Sequence, residues 1–310
     1  MSRQDTPTYE GRRLPRPEEE LVDQGLAFDV GTASQCRRRL LGVLGLGAAT
    51  VGLAACGGGS TSSSSSAGSS AGEIPDETAG PYPGDGSNGP NVLASSGIVR
   101  SDIRSSFGDA SGTAEGVRMT LELTVSELAD GDVPFEGVAV CVWQCSREGG
   151  YSLYSEGITD QNYLRGVQIA DAAGKVTFTS IFPACYAGRW PHIHFEVYPD
   201  EASINDSTAA IATSQVALPK DACDAVYATT GYQASVRNLS QVSLESDNVF
   251  GDDGGATQLG TVAGNMTRGY TVSLAVGVDT STAPTGGQPG GGAPPRGAGG
   301  PGGTPPSPPN

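Results

Sequence analysis

Apolar and polar residues alternate along several segments of the chain, most clearly from Val117 to Val125. Similar or more apolar segments follow at residues 137–143, 175–180, 192–198, 210–218 and 269–278. A period of two is typical of strands with one buried face, and no long stretch has the 3.6-residue period of a helix. Short strands separated by Gly, Asp and Asn turns predict an all-β fold, a β-sandwich of mostly antiparallel strands. Its long connections, 144–174 and 219–267, are the loops on which we expect the functional site.

The N-terminal region has the pattern of an export signal. Arg37–Arg39 precede an apolar run from Leu40 to Ala55, which is shorter than the about 20 residues that span a membrane. The paired arginines followed by leucines resemble a twin-arginine signal. The sequence Leu-Ala-Ala-Cys at 53–56 resembles a bacterial lipoprotein cleavage site, with a plain signal peptide and a chance cysteine as the alternative. We therefore predict an exported, extracytoplasmic protein, anchored to a bacterial cell membrane through lipidated Cys56.

Composition divides the rest of the chain. The sequence holds 46 Gly and 21 Pro, and such residues dominate its C-terminal end. We expect an export signal (1–56), a Gly/Ser-rich tether (57–73), one folded domain (74–281) and a disordered Pro/Gly-rich tail (282–310). The 18 Lys and Arg against 34 Asp and Glu give a net charge of −16. This acidity argues against binding nucleic acid or anionic lipid through a basic surface.

The predicted folded domain contains four cysteines: Cys141, Cys145, Cys185 and Cys223. Because an exported protein meets an oxidising compartment, we expect one or two disulfides. The sequence does not choose among the three full pairings, and Cys145 and Cys223 are the candidate partners of Cys185. Zinc binding is the competing interpretation, but the sequence lacks the Cys-x-x-Cys pair that such sites often use.

The only two histidines of the sequence, His192 and His194, lie two residues apart in a predicted strand. Side chains at i and i+2 of a strand point to one face, with Cβ atoms about 7 Å apart, so two such imidazoles can bind one metal ion. A pair of satisfied core or surface histidines is the alternative. The neighbouring Tyr186, Arg189 and Tyr198 favour the metal site.

Three motifs follow one another around these histidines. Trp143 precedes Gly149-Gly150-Tyr151; then come Ile181-Phe-Pro-Ala-Cys-Tyr186 and Arg189-Trp-Pro-His-Ile-His194. A further motif, Thr78-Ala-Gly-Pro-Tyr82, lies upstream. Together they resemble the metal-binding pattern of the intradiol ring-cleavage dioxygenases, the catechol and protocatechuate type. The resemblance implies a β-sandwich enzyme that uses O2 to cleave a catecholic ring between its two hydroxyl-bearing carbons, giving a muconate-type diacid.

The resemblance also implies one Fe(III) per chain, held by two tyrosines and two histidines. Tyr151 and His192 match the family's equatorial ligands, and Tyr186 and His194 match the axial ones. Phenolate oxygen is a hard, anionic ligand suited to ferric iron, whereas ferrous oxygenases use two histidines and one carboxylate. Catechol and O2 are the implied small-molecule partners; the oligomeric state is left open.

Further roles are implied for residues around these ligands. Tyr186 matches the ligand that gives way to substrate and takes a catechol proton, and Arg189 matches the arginine that stabilises the electron-poor ring. Gln215 is similar to the family's glutamine beside the oxygen pocket. The implied substrate pocket is lined by Pro81, Tyr82 and Trp190, although Trp190 has simple packing as an alternative.

Several alternatives remain at this stage. Tyr154 and Tyr163 are alternative ligands to Tyr151, which is preferred because its spacing from Trp143 fits the motif. Arg165 is interpreted as a solvated loop charge, with a second anion-binding group as the alternative. A non-catalytic surface β-sandwich that binds aromatic or carbohydrate ligands is the alternative function. A structural, envelope-anchoring protein is a third.

Overall fold

The computed structural model describes residues 72–286 and, ahead of them, two short strands, β1 (Thr8–Tyr9) and β2 (Arg12–Arg13). These two strands pair antiparallel within a separate unit. Apart from these two strands, the predicted export signal, including Cys56, lies outside the described residues, as do most of the predicted tether and tail. Within the described part of the chain, no helix is long and apolar enough to cross a membrane.

Residues 72–286 form a β-sandwich with two short helices. The strands are β3 (Arg118–Glu127), β4 (Val133–Pro134), β5 (Ala139–Trp143), β6 (Arg165–Ile169), β7 (Lys175–Ile181), β8 (His192–Tyr198), β9 (Ala212–Ala217), β10 (Thr261–Asn265) and β11 (Gly269–Val278). The helices are α1 (Lys220–Tyr227) and α2 (Gln233–Leu239), with single 3-10 turns at Glu201–Asn205, Ser207–Ala209, Leu244–Ser246 and Phe250–Asp252.

The first sheet has the order β10-β11-β3, with β4 and β7 both pairing with the other side of β3. The second sheet has the order β6-β5-β8-β9. Within these two sheets, every pair is antiparallel except β11 with β3. The prediction of a mostly antiparallel all-β sandwich is therefore confirmed, and each of the predicted strand segments contains a strand.

Alternation along the strands places the core between the sheets. On β5, Val140 and Val142 belong to the large core cluster shared with β3 and β7, whereas Cys141 and Trp143 point to the other face. On β8, Ile193 and Phe195 point into the same large core. The outward face of this second sheet is also buried, because the segments around 79–98 and 144–164 cover it.

The sequence pattern did not predict the two helices or the five-residue strands β6 and β10. Helices α1 and α2 have eight and seven residues, too few to repeat a 3.6-residue period convincingly. Strand β6 begins with a buried arginine and a glycine, and β10 is almost wholly exposed, so neither has apolar alternation.

The expected disulfides are wrong, since Cys141, Cys145, Cys185 and Cys223 are all buried free thiols. Three of them are directed at backbone carbonyls: Cys145 Sγ lies 3.6 Å from the oxygen of Ala184, and Cys185 Sγ lies 3.4 Å from that of Arg189. Cys223 Sγ faces the oxygen of Leu218 at 3.9 Å. Burial raises the pKa of Cys145 to about 12, so this thiol stays protonated and packs as a small apolar group.

Candidate metal centre

Four side chains meet on the outward face of the second sheet. His192 and His194 share this face of β8, and their Nε2 atoms are 3.1 Å apart. The hydroxyl of Tyr186 lies 3.1 Å from His192 Nε2. The ring of Tyr151 stands edge-on to those of Tyr186 and His194, with centroids 6.0 and 6.2 Å apart. The structure therefore brings together all four ligands that the sequence predicts.

The histidines are neutral and oriented for metal binding. The ring Nδ1 of His192 lies 2.5 Å from the backbone oxygen of Trp190. Because a carbonyl only accepts, Nδ1 carries the hydrogen, which leaves a lone pair on Nε2. Burial lowers the pKa of both histidines well below the ordinary value, and the Arg189 charge adds to this effect. A neutral imidazole with a free Nε2 lone pair, as in His192, is what a metal ion requires, whereas His194 Nδ1 is buried without a hydrogen-bond partner among the described residues.

The phenols are held in an environment that disfavours their charge. Burial, with the adjacent Tyr186, raises the pKa of Tyr151 well above its ordinary value, and burial raises that of Tyr186 to about 12. The Tyr151 hydroxyl is buried, and no described residue meets hydrogen-bond geometry with it. Such an atom is costly unless something else satisfies it. A trivalent cation does so, since it stabilises phenolate and removes the proton.

These donors fit ferric iron. Two neutral imidazoles and two phenol oxygens supply the nitrogen and hard oxygen donors that Fe(III) accepts. Within the described residues, no group of three or more His, Cys, Asp or Glu side chains is placed to hold a metal ion. The candidate centre thus depends on its tyrosines.

One helix and a turn position the tyrosines. Ser235 and Asn238 of α2 bond the backbone of Cys185, at 3.0 and 2.8 Å, immediately before Tyr186. Tyr151 begins a turn in which its N–H donates to the Ser155 hydroxyl at 2.8 Å. Both contacts come from the long connections 144–174 and 219–267, on which the site is expected from the sequence, although α2 makes part of the second one helical.

Trp143 and Gly80 enclose His194. The Trp143 ring stacks on the imidazole, with centroids 4.9 Å apart and an interplanar angle of 8°. Gly80 has a φ of +71°, and a Cβ built on it lies 3.3 Å from His194 Cε1. Two features therefore require glycine at position 80: its backbone conformation and its close approach to a predicted ligand.

We expect Gly80→Ala to weaken iron binding about 10-fold, the size of effect seen when a ligand's support is disturbed. The new methyl group has to displace His194 by a few tenths of an ångström. Gly108→Ala is the matched control, since Gly108 has a φ of +65° and nothing within 4 Å of its built Cβ. Both variants lose about 1 kcal/mol of stability from backbone strain. Iron titration separates them, and equal affinities would contradict the proposed contact.

Arg189 and Gln215 lie beside the four ligands. Arg189 Nη2 donates to Gln215 Oε1 at 2.6 Å, and Gln215 Nε2 donates to the Thr78 carbonyl at 3.2 Å. Gln215 stands opposite His194 in the sheet register. The Arg189 charge lowers the pKa of Tyr186 and so opposes the larger effect of burial. The sequence missed one partner, Asp247, whose carboxylate forms a 2.9 Å ion pair with Arg189.

The predicted pocket residues divide into two groups. Tyr82 stacks on Tyr151 with centroids 4.7 Å apart, and Pro81 lies between Tyr82 and Gly80, so both belong to the segment that borders the centre. Trp190 instead lies in the large core cluster, where its indole N–H donates to the Leu218 carbonyl at 2.9 Å.

The alternative tyrosines do not join the cluster. The Tyr154 hydroxyl accepts a bond from the Gly84 N–H at 2.9 Å, and Tyr163 packs in a separate small cluster with Leu164. The Tyr198 hydroxyl donates to Glu196 at 2.8 Å. Each of these tyrosines thus has a hydrogen bond or packing neighbours outside the cluster of Tyr151, Tyr186, His192 and His194.

The interpretation of Arg165 as a solvated loop charge is wrong. Its side chain is 2 % exposed, and it starts β6 beneath the covering segments. Nη1 donates to the carbonyls of Tyr82 and Pro83, at 2.9 and 2.7 Å. Nε and Nη2 donate to the hydroxyl and carbonyl of Ser152, at 3.1 and 2.9 Å. Arg165 thus joins the Tyr82 segment to the residue that follows Tyr151.

Comparison with known proteins agrees with this description. Residues 88–194, about a third of the chain, match the family model described as "Dioxygenase". An intradiol ring-cleavage dioxygenase from Tetranychus urticae superposes with a TM-score of 0.52 at 21% identity, covering 69% of this chain and 98% of that one. A second dioxygenase structure gives a TM-score of 0.53 at 20% identity, covering 69% and 97%. No curated protein matches the sequence.

At such identities, the superposition shows the shared fold, and the family match adds the sequence pattern. The resemblance drawn from the motifs is confirmed: residues 88–194 carry the pattern of a dioxygenase family, on the β-sandwich fold of the intradiol ring-cleavage dioxygenases.

Proposed function

We propose that this protein is a non-haem Fe(III) intradiol dioxygenase, which cleaves a catecholic ring between its hydroxyl-bearing carbons to a muconate-type diacid. The supporting observation is the convergence of two neutral imidazoles and two buried phenols, one of them without a hydrogen-bond partner among the described residues. Tyr151, Tyr186, His192 and His194 hold the metal. Bound Fe(III) supplies a Lewis acid that polarises a catecholate toward O2.

The two tyrosines differ in access. Tyr151 is 1 % exposed, whereas Tyr186 is partly exposed and lies within hydrogen-bond distance of His192. Tyr186 is therefore the phenol that an entering substrate reaches, and its oxygen accepts a catechol proton. Arg189 places a positive charge beside it and stabilises negative charge on the ring.

Charges near the centre favour an uncharged catechol over a carboxylated one. The Arg189 charge is already paired with Asp247. Glu77, Asp252 and Asp253 form a further acidic group near Arg189, and burial with Asp252 raises the pKa of Glu77 to about 7. A substrate carboxylate meets repulsion from these groups, which is only partial at neutral pH because Glu77 is then about half protonated.

The sequence further supports membrane attachment through Cys56.

The visible spectrum and iron content of the purified full chain test this proposal. We expect one iron per chain, a red to burgundy charge-transfer band, and a shift to longer wavelength when catechol is added without oxygen. Oxygen uptake then follows on admitting O2, faster with catechol than with protocatechuate. A colourless protein that takes up no Fe(III) would instead support the non-catalytic binding module.

A further inference from the structure

Asp247 is a buried carboxylate in the loop between α2 and β10, and every one of its recorded bonds is to an N–H. Oδ2 accepts from Arg189 Nε at 2.9 Å and from the Trp190 N–H at 2.6 Å. Oδ1 accepts from the N–H groups of Val249 and Phe250, at 2.9 and 3.2 Å. The Asp247 side chain is 0% exposed. A carboxylate with four such donors is fixed in place.

This carboxylate holds one end of the Arg189 guanidinium. Nε donates to Asp247 and Nη2 donates to Gln215, so hydrogen bonds fix the planar guanidinium on two sides. In the part of the chain that the structure describes, Nη1 has no recorded hydrogen-bond partner. Because Gln215 stands opposite His194 in the sheet register, its bond to Nη2 holds the guanidinium beside the metal centre. The free Nη1 is the donor left for an anionic ligand.

The same loop ties Arg189 to the centre by packing. Phe250, whose N–H is bonded to Asp247, lies with its ring centroid 6.0 Å from Arg189 Cζ and 6.4 Å from the ring of His192. The Trp190 backbone lies between these two residues, and its carbonyl accepts from His192 Nδ1. Asp247 therefore bonds Arg189 directly, and through the Trp190 backbone it also supports His192, a predicted ligand.

We infer that Asp247 is a positioning residue, which fixes the Arg189 guanidinium beside the tyrosine and histidine cluster. This inference rests on the proposed function for its kinetic consequence, but not for the contact itself. No motif in the sequence marks Asp247, which lies 58 positions after Arg189.

Turnover per bound iron tests the role. For Asp247→Asn, we expect the rate per iron to fall about 10- to 100-fold, as for other disturbed catalytic geometry. The anaerobic catechol affinity, the iron content and the resting colour should change little. Asp224→Asn, in an exposed ion pair with Lys220 on α1, is the matched control and should keep its rate. A fall in stability and iron content with unchanged turnover per iron would show a structural role only and overturn the inference.

A second variant keeps the test decisive if Asp247→Asn does not fold. The double variant Arg189→Gln/Asp247→Asn removes both charges of the buried pair, which avoids an unpaired buried charge. If Asp247 acts only through Arg189, the double variant turns over as slowly as Arg189→Gln alone. A further 10-fold loss in the double variant would overturn the inference.

The contact itself is measured without activity. In the metal-free protein, the Arg189 Nε–H signal in a nitrogen–proton NMR spectrum should exchange slowly with water, because Asp247 and Phe250 cover it. Rapid exchange in the unaltered protein would contradict the contact. Slow exchange in a protein that consumes no O2 with any catechol would keep the contact and reject the proposed function instead.

Discussion

Replacing Tyr151 with phenylalanine is expected to weaken iron binding strongly, yet to leave the metal-free protein at least as stable as before. The Tyr151 hydroxyl is buried, and hydrogen-bond geometry is not met by any residue that the structure describes. Leaving a buried polar group unsatisfied costs about 1–3 kcal/mol, so its removal relieves the metal-free fold. The iron site loses one of its two anionic ligands, and affinity should drop at least about 100-fold. Iron titration, the visible band and the thermal midpoint of the metal-free protein measure these opposite effects.

Tyr154→Phe is the matched control. Its hydroxyl accepts a bond from the Gly84 N–H, so its loss costs about 1 kcal/mol of stability but no metal ligand. We expect this variant to keep its iron and its colour. His194→Ala should behave like Tyr151→Phe in the iron titration. A Tyr151→Phe protein that stays coloured and turns over catechol would reject the ligand assignment.

Replacing Arg165 with methionine is expected to produce a large loss of stability. The buried guanidinium supplies donors to three backbone carbonyls and one hydroxyl of the segments that cover the second sheet. Burial lowers the pKa of Arg165 to about 10, so the group stays charged at neutral pH. Methionine fills the volume but leaves the carbonyls unpaired. We expect a cost of about 3 kcal/mol, or roughly 6–12 °C in the thermal midpoint.

Arg104→Met provides the comparison for this variant. Arg104 pairs with Asp102 at 2.6 Å, but the two side chains are 37% and 49% exposed. An exposed pair contributes about 0–1 kcal/mol, so this variant should unfold almost as the unaltered protein does. Equal losses in the two variants, measured by urea unfolding, would mean that the bonds of Arg165 are not what secures the covering segments.

Much of the fold was predictable because most of its strands follow a simple rule. Val117 to Val125 alternates cleanly, since β3 is buried on one face only. Strand β8 is buried on both faces, and its His-x-His pattern still identified the outward face. Apolar–polar alternation fails to predict a strand where a polar side chain is buried. Arg165 is such a case, because its charge is satisfied by loop carbonyls that are distant in sequence.

The four converging side chains were predictable as candidate ligands because the motifs preserve their spacing along the chain. The supports of those ligands were not, since they depend on contacts between distant segments. Asp247 meets Arg189 only after the loop beyond α2 has folded back, and Gly80 approaches His194 from the other end of the domain. The disulfide prediction failed for a related reason. The redox potential of an oxidising compartment favours disulfides in general, but it does not determine whether two thiols of a fold point at each other.

The parallel pairing of β11 with β3 determines when this domain can be completed during synthesis. Met119 pairs with Tyr270 and Glu127 with Val278, so one edge of β3 stays open until the C-terminal strand has left the ribosome. Translation at about 5–20 residues per second makes that interval roughly 8–30 s. Meanwhile, an apolar strand with Leu121, Leu123 and Val125 has a free edge, where association with other chains competes with folding. The yield of folded protein should therefore depend on how quickly residues 269–278 reach β3, more than on the stability that the finished domain attains.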